Sequence, residues 1–291
     1  MIVRLVHRVA AATGLAVFFF AFVTIAPSAL AQPAPAPQEG PAKAGATMWV
    51  TVAQRLKLKV YESPKLSASP VLIVVVHGDS PNEPPTYHYR FAEEAAATIS
   101  DAVVAAVLRP GYEDGLDRSD GMRGETTGDN YTPEVINAVA TAISNLKTRY
   151  HPGRVVLVGH SGGTAILGSL LGQQGTIADA ALLVSCACDV PAWRKHMKAV
   201  KGGAIWDRPV RSLSPIALVE GIPLSARISL LVGSDDNVTP PSLTLAYAEA
   251  LQKRGVMANV TVAPGLPHNI LREPIAMEHL VDIVGAVRTG R

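Results

Sequence analysis

Near the middle of the chain, residues 155–164 read Val155-Val156-Leu157-Val158-Gly159-His160-Ser161-Gly162-Gly163-Thr164. The four apolar residues predict a strand buried on both faces, and a helical pattern that runs to Leu170 follows the glycines. Ser161 then lies at a sharp turn where larger neighbouring side chains would clash. The turn would hold the hydroxyl at a helix N-terminus, whose partial positive charge favours a developing anion. Ser161 is therefore the candidate nucleophile; the alternative is an ordinary glycine-rich turn.

Strand and helix patterns alternate on both sides of this stretch. Uniformly apolar strands between helices predict an α/β fold with a mostly parallel central sheet and helices on both faces. Sites in such sheets form at the carboxyl ends of the strands. The predicted strands are Met48–Val52, Leu56–Tyr61, Val71–Val76, Ala102–Leu108, Val155–Val158, Ala180–Ser185, Ile228–Val232 and Val260–Val262, and the predicted helices include Phe91–Ile99, one that starts at Pro133, Leu243–Lys253 and Ile275–Val287.

The composition is that of a globular protein: 48% of the 291 residues are apolar and 17% are charged. The formal net charge of +2 becomes 2 − 2 = 0 without residues 1–31, which contain Arg4 and Arg8 and no acid. A neutral chain has no overall field to attract nucleic acid or an anionic membrane, so we expect neither as a partner.

The N-terminus has the pattern of a signal peptide at residues 1–31. Basic residues at positions 4 and 8 precede the apolar run Leu15–Ile25, and small residues precede a cleavage point near Ala31. We expect export to the periplasm or the medium, without stable membrane association after cleavage; the alternative is an uncleaved membrane anchor. Residues 32–46, rich in Pro and Ala, predict a linker, and residues 47–291 a single domain.

Cys186 and Cys188 are the two cysteines of the chain. If both lay in one strand, their Cα atoms would be about 6.6 Å apart, near the upper limit for a disulfide. We therefore expect two buried free thiols, with a strained bridge as the alternative. Their surroundings in the sequence lack zinc-ligand spacing, so we predict no metal site and no cofactor.

From residue 71 to residue 288 the chain resembles the α/β-hydrolase superfamily. The resemblance rests on Gly159–Gly163, on His77-Gly78, on Gly233–Pro240 and on His268. It implies an order of nucleophile, acid and histidine along the chain, in which the histidine activates the serine. His268 then becomes the base, because glycine and proline precede it in a loop after the last strand. The side chain of His160, next to the nucleophile, is expected to point away.

The resemblance places the acid of the triad at Asp236, in the loop that follows a strand. Asp235 is the neighbouring alternative, more suited to a turn, and Asp189 follows another strand from which some members of the superfamily take their acid. For the oxyanion hole, the resemblance implies the backbone N–H groups of Gly162 and Asp79. The triple-glycine form of that second loop is absent, so a plain strand-exit turn at His77-Gly78 is the alternative.

Two connections are candidates for shaping a substrate pocket. Residues 111–131 form a long charged loop that leaves the same sheet edge as Ser161, and we expect them to favour a polar substrate; a solvated surface loop is the alternative. Residues 189–225 occupy the position of a short cap, whose tryptophans are candidates to cover an acyl group; the alternative is a surface helical connector.

These residues predict an exported serine hydrolase that cleaves a carboxylic ester or related acyl bond of a small molecule through an acyl-enzyme. A serine peptidase of the same fold is a second interpretation, and a non-catalytic relative that binds a ligand is a third. A halide-oxidising relative with the same three residues stays open. The oligomeric state and the natural substrate do not follow from the sequence.

Overall fold

A computed structural model describes the backbone of residues 43–51 and 54–290. The signal peptide predicted for residues 1–31 and most of the predicted linker lie outside these residues. The end of the linker prediction is wrong, because the first strand starts at Lys43 and includes residues 43–46. Within the described ranges, no helix has both the length and the apolar content needed to cross a membrane.

Eight strands and six α-helices alternate along the described chain. The predicted helix Phe91–Ile99 starts one turn earlier, at Tyr87, and the predicted short strand Val260–Val262 extends in both directions. The strands are β1 (Lys43–Thr51), β2 (Arg55–Glu62), β3 (Val71–Val76), β4 (Ala102–Val107), β5 (Arg154–His160), β6 (Ala180–Val184), β7 (Arg227–Gly233) and β8 (Met257–Ala263), and the helices are α1 (Tyr87–Thr98), α2 (Pro133–Tyr150), α3 (Gly162–Gln173), α4 (Val190–Lys201), α5 (Pro241–Arg254) and α6 (Pro274–Thr289).

The strands form one sheet in the order β1-β2-β4-β3-β5-β6-β7-β8. β1 and β2 pair antiparallel with each other, and β2 pairs antiparallel with β4. All the other pairs, from β4 through β3 and β5 to β8, are parallel. The predicted α/β fold with a mostly parallel sheet is confirmed.

Helices cover both faces of the sheet because the side chains of each strand alternate between them. In β3, Leu72, Val74 and Val76 face the cluster that includes α2, α3 and α5. Val71, Ile73 and Val75 face the cluster that includes α1 and α6. All six are buried, which explains why the strand reads as an unbroken apolar run. β5, which leads into Ser161, lies between β3 and β6, and its side chains alternate between the same two clusters, so it is covered on both faces.

The two cysteines are joined by a disulfide, so the expectation of free thiols is wrong. That expectation placed both residues in an extended strand. β6 instead ends at Val184, and Ser185 has a positive φ of 54°. Cys186, Ala187 and Cys188 therefore lie outside the extended strand, and the Cα atoms of the two cysteines are 5.1 Å apart, within the usual range for a disulfide.

The charged loop of residues 111–131 is anchored to the sheet by a buried ion pair. Lys57 Nζ of β2 lies 2.8 Å from Asp114 Oδ2 and 2.6 Å from Asp117 Oδ2. The side chains of Lys57 and Asp114 are both 1% exposed. Tyr89 of α1 donates a further hydrogen bond to Asp114 at 2.9 Å. Asp114 and Asp117, two of the charged residues of this loop, therefore attach the loop to β2 instead of facing only solvent.

Removal of one partner of this pair should be costly, because it leaves the other charge buried and unpaired. We expect Lys57→Met to lower the free energy of unfolding by about 3–5 kcal/mol. The matched control is Lys198→Met, which breaks an exposed pair with Asp207 (2.6 Å) and should cost at most about 1 kcal/mol. Urea unfolding of the three proteins measures both effects, and equal losses would contradict the anchoring role.

Candidate active site

Ser161 occupies a strained turn between β5 and α3. Its φ of 51° and ψ of −121° lie outside the regions that residues with a side chain usually adopt. Three hydrogen bonds hold this conformation: the Ser161 N–H donates to the carbonyl of Val184 (2.9 Å), and the Ser161 carbonyl accepts from the N–H (2.8 Å) and the hydroxyl (2.5 Å) of Thr164. Strain that the surroundings maintain in this way is typical of functional sites.

The glycines after Ser161 are required by close neighbours. A Cβ on Gly163 would collide with the carbonyl oxygen of Val76 at the end of β3. A Cβ on Gly162 would lie 2.7 Å from Asp79 Oδ1 and 2.7 Å from the hydroxyl of Tyr131. The steric reason given for glycine at this turn therefore holds, and the neighbours that demand it come from other elements.

His268 lies between Ser161 and Asp236 and contacts both of them. The Nε2 atom of His268 is 3.0 Å from Ser161 Oγ, and its Nδ1 is 2.9 Å from Asp236 Oδ2 and 3.0 Å from Oδ1. A carboxylate accepts hydrogen bonds, so Nδ1 carries the imidazole hydrogen and Nε2 is free to accept the serine proton. The arrangement can raise the nucleophilicity of the hydroxyl.

Several hydrogen-bond donors hold the carboxylate of Asp236, whose side chain is fully buried. The N–H groups of Val238 (2.9 Å) and Thr239 (2.8 Å) donate to Oδ1, and the Thr239 hydroxyl donates to Oδ2 (2.8 Å). Burial by itself would raise the pKa of Asp236, but these bonds and the one from His268 outweigh it, so the pKa is lowered. Asp236 is therefore a carboxylate over the neutral pH range.

The two alternative acids have other roles in the structure. Asp235 is exposed, and its Oδ1 accepts a hydrogen bond from Ser234 Oγ at 2.7 Å. Asp189 caps the N-terminus of α4, where its side chain accepts from the Ala192 N–H at 3.1 Å. His268 Nδ1 faces Asp236, so this geometry favours Asp236 over both.

The loop after β3 abuts the nucleophile, as expected for an oxyanion loop. A Cβ on Gly78 would lie 2.8 Å from Ser161 Cβ. The Gly162 N–H opens α3 and has no acceptor inside the helix. The N–H of Asp79, whose side chain adjoins Gly162, has no acceptor among the described residues. The N–H groups of Gly162 and Asp79 therefore stay candidates for the oxyanion donors.

Three side chains hold the carboxylate of Asp79, and the sequence analysis singled out none of them individually. Arg109 donates to Oδ1 at 2.8 Å, Tyr131 donates to Oδ2 at 2.7 Å, and Tyr112 donates to Oδ1 at 3.3 Å. Arg109 is fully buried, so its positive charge balances the carboxylate beside the candidate oxyanion site. The position of Arg109 directly after a buried strand was the signal available in the sequence.

The side chain of His160 points away from the nucleophile's hydroxyl, as expected. It has a defined place under the loop after β8 that carries His268, which we call the base loop. Its Nε2 lies 3.0 Å from the carbonyl oxygen of His268, and its Nδ1 lies 2.7 Å from the hydroxyl of Tyr87. Tyr87 in turn accepts from the N–H of Gly78 at 2.7 Å. No sequence pattern indicates this contact, because three distant segments meet in it.

The cap consists of α4 and short 3₁₀ turns, and its tryptophans pack inward. Trp193 is 4% exposed, lies edge-on to Trp206 with 5.8 Å between ring centroids, and donates to the carbonyl of Val238 at 2.9 Å. Arg194 ties the cap to the charged loop through the carbonyl of Thr127. Trp193 therefore supports the loop after β7 that carries Asp236, which we call the acid loop. The geometry favours a helical connector, not a cover over an acyl group, for residues 189–225.

A polar groove of about 440 Å³ separates the oxyanion loop from the charged loop. Exposed Arg118 and Arg123 line it, and Arg123 donates to the carbonyl of Pro81 at 3.2 Å. Tyr112, which also contacts Asp79, connects the groove to the candidate site. The described residues contain no group of three or more His, Cys, Asp or Glu side chains arranged to hold a metal ion.

A strained serine, an imidazole and a buried carboxylate at the carboxyl edge of this sheet define the class: an α/β-hydrolase superfamily serine hydrolase. The chain belongs to the prolyl oligopeptidase family (peptidase family S9), whose model matches residues 102–283. That match includes Ser161, Asp236 and His268. No curated protein sequence matches the chain.

Solved structures with the same fold include both small esterases and longer peptidases. Est1E from Butyrivibrio proteoclasticus, solved with ferulic acid bound, has a TM-score of 0.63 at 14% identity, over 81% of this chain and 97% of its own. A thermostable carboxyl esterase from Bacillus coagulans has a TM-score of 0.61 at 15% identity, over 85% and 99%. The Pyrococcus horikoshii acylaminoacyl peptidase has a TM-score of 0.63 at 13% identity, over 82% of this chain but only 41% of its own.

Three buried histidines should make the fold sensitive to acid. Burial lowers the pKa of His88 and His160 to about 3, and lowers that of His77 well below its ordinary value. The unfolded chain then binds more protons than the folded one below about pH 6.5, so stability falls as the pH falls. Between about pH 5.5 and 4.5 we expect a loss of about 4 kcal/mol, because each bound proton contributes about 1.4 kcal/mol per pH unit.

Urea unfolding across this pH range measures that slope. The His88→Leu variant removes one of the three histidines and should reduce the slope by about one proton. An unchanged slope in this variant would show that His88 is not held neutral in the fold.

Proposed function

We propose that this protein hydrolyses a carboxylic ester or a related acyl bond, with Ser161 as nucleophile, His268 as base and Asp236 as the acid of the triad. The observation that carries the proposal is the unbroken hydrogen-bonded line from Ser161 Oγ through His268 to Asp236, at 3.0 Å and 2.9 Å. The three residues come from the loops after β5, β7 and β8, so the fold alone creates their proximity.

In the proposed acylation step, Ser161 Oγ attacks the carbonyl carbon while its proton passes to His268 Nε2. The carbonyl π pair moves to oxygen, and the Gly162 and Asp79 amides stabilise the resulting oxyanion. The tetrahedral intermediate collapses as the bond to the leaving alcohol breaks, and His268 gives its proton to that alcohol. Asp236 stabilises the transient imidazolium and stays ionised.

Deacylation repeats these steps with water in place of the serine hydroxyl. His268 takes a proton from water, the hydroxide oxygen bonds to the acyl carbon, and the second tetrahedral intermediate releases the carboxylic acid. The proton on His268 returns to Ser161 Oγ, which regenerates the enzyme. The reaction consumes one water molecule and needs no redox partner.

Two observations favour an ester over a peptide as substrate. The cap of the described chain is one helix with short 3₁₀ turns, which leaves little structure to select an extended peptide. The esterase and Est1E neighbours align over nearly their whole length, whereas the acylaminoacyl peptidase has a further portion that this chain does not cover. A peptidase is the second candidate, supported by membership of a family named for peptidases.

A panel of substrates separates these two candidates. Turnover of short-chain aryl esters, with little turnover of an aryl amide or an N-acyl peptide, is the expected result. Peptide cleavage with a kcat/KM above that for esters would replace the ester proposal by the peptidase. The Ser161→Ala variant, run on every substrate, removes any background from contaminating enzymes.

The acid of the triad can be tested with two neighbouring aspartates. We expect Asp236→Asn to lower kcat by about 10⁴, because the amide would favour the wrong tautomer of His268. The matched control is Asp235→Asn, which changes an exposed residue one position away and should leave kcat within about twofold. A large loss in Asp235→Asn and a small one in Asp236→Asn would reassign the acid.

The nucleophile is tested by a fluorophosphonate, which reacts with activated serines. We expect stoichiometric labelling, with the adduct mapped by mass spectrometry to Ser161, and a rate that falls by at least about 10³ in His268→Ala. A label on another serine, or equal labelling of the His268 variant, would contradict the mechanism.

We also propose that the protein is exported, with cleavage near Ala31. The support is the sequence of residues 1–31, with its basic start and apolar run, together with the Cys186–Cys188 disulfide, since such bonds persist in oxidising compartments. Expression of the full chain in a bacterium should yield a periplasmic or secreted protein whose first residue is Gln32. A cytoplasmic product that retains Met1 would refute this.

A further inference from the structure

A chain of hydrogen bonds runs from the oxyanion loop to the base loop beneath the candidate site. The N–H of Gly78 lies 2.7 Å from the Tyr87 hydroxyl, which lies 2.7 Å from His160 Nδ1. On the other side of the ring, His160 Nε2 lies 3.0 Å from the carbonyl oxygen of His268. Two side chains thus connect the backbones of residues 78 and 268.

The direction of each bond follows from the chemistry of its ends. The carbonyl of His268 can only accept, so His160 Nε2 carries the hydrogen and donates. Burial lowers the pKa of His160 to about 3, so the ring is neutral and its Nδ1 is an acceptor. Tyr87 must therefore donate to Nδ1, and its oxygen accepts from the Gly78 N–H. Each donor along this line thus has an acceptor.

Each end of the chain adjoins a group that the proposed mechanism uses. Gly78 directly precedes Asp79, whose amide is a proposed oxyanion donor. The carbonyl at the other end belongs to His268, the proposed base, and it also accepts a hydrogen bond from Ser185 Oγ at 2.9 Å. The ring of His160 lies 5.1 Å, centroid to centroid, from the ring of His268. His160 itself is the residue before the nucleophile, so the chain has a contact with all three parts of the site.

We infer that Tyr87 and His160 are positioning residues, which hold the base loop and the oxyanion loop in their places beside Ser161. The inference rests on the proposed function and adds two residues that touch neither substrate nor reacting atoms. The hydrogen bonds with Tyr87 and His160 hold the backbone N–H of Gly78 and the backbone carbonyl of His268. The bond with Asp236 holds only the imidazole ring of His268. Small misplacements of reacting groups are costly, because acyl transfer needs the base and both amides in place at once.

The chain should stay intact over the pH range in which the triad operates. Protonation of His160 would place a hydrogen on Nδ1 against the Tyr87 hydroxyl. The titratable and charged groups around it are His268 and Arg272, beside which a further positive charge is disfavoured, and Asp236, which favours one. Arg272 lies over the Tyr87 ring, 5.5 Å from its centroid. Burial is the main cause that keeps the His160 ring neutral.

The test compares Tyr87→Phe, His160→Leu and the double variant. The readouts are kcat and KM for an aryl ester, and the second-order rate of fluorophosphonate reaction at Ser161. We expect each single variant to lower kcat and the labelling rate by about tenfold to a hundredfold, with KM within about threefold. Because both residues act in one chain, the double variant should be no more than about threefold slower than the slower single variant.

A conservative substitution and a matched control complete the experiment. Gln in place of His160 keeps an N–H donor for the His268 carbonyl, so His160→Gln should recover part of the activity that His160→Leu loses, and it carries the test if the Leu variant does not fold. Tyr89→Phe is the control, because it removes a buried hydroxyl from the same helix, one that donates to Asp114, and should leave both rates within about twofold.

The outcomes separate the inference from the proposed function. Wild-type protein that labels at Ser161, with folded variants that label equally fast, overturns the positioning role and leaves the proposed function standing. Losses in the double variant that equal the product of the single losses also overturn it, because the two residues would then act independently. Wild-type protein that does not label at Ser161 overturns the proposed function, and the inference with it.

Discussion

The hydrogen bond between His268 Nε2 and Ser161 Oγ is the contact on which the described site depends. Its two residues are 107 positions apart in the chain, and the bond is 3.0 Å long. Such proximity arises because parallel strands end at one edge of the sheet, so that the loops after β5, β7 and β8 converge there. Strands that are apolar on both faces form this sheet, and the sheet brings the three loops together.

Around this bond, charge is balanced locally. Asp236 is surrounded by donors from its own loop and by His268, and Asp79 is neutralised by fully buried Arg109. The positive end of α3 points at Ser161. An acyl-transfer oxyanion would thus form in a place where no uncompensated negative charge opposes it. Preorganised donors of this kind account for most of the rate acceleration in many hydrolases.

Membership of the prolyl oligopeptidase family does not by itself select the bond that is cleaved. The neighbours in structure include a carboxyl esterase and an acylaminoacyl peptidase, both built on the same sheet. In the described chain, the cap and the charged loop are tied together through Arg194, and Trp193 supports the acid loop. The polar groove lined by Arg118 and Arg123 opens beside Tyr112, on the oxyanion-loop side of the charged loop.

The sheet and the strained serine could be predicted from the amino-acid sequence, because apolar periodicity and glycine requirements are local. The order of the three triad candidates came from the resemblance to the α/β-hydrolase superfamily. The expectation of free cysteines was wrong, because β6 ends before them and they do not lie in the extended strand that the estimate assumed. Three features became visible only in the folded chain: the Arg109 contact with Asp79, the Lys57 anchor of the charged loop, and the line from Tyr87 through His160 to His268. Each of these joins side chains from distant segments, and a single sequence carries no record of which distant segments meet.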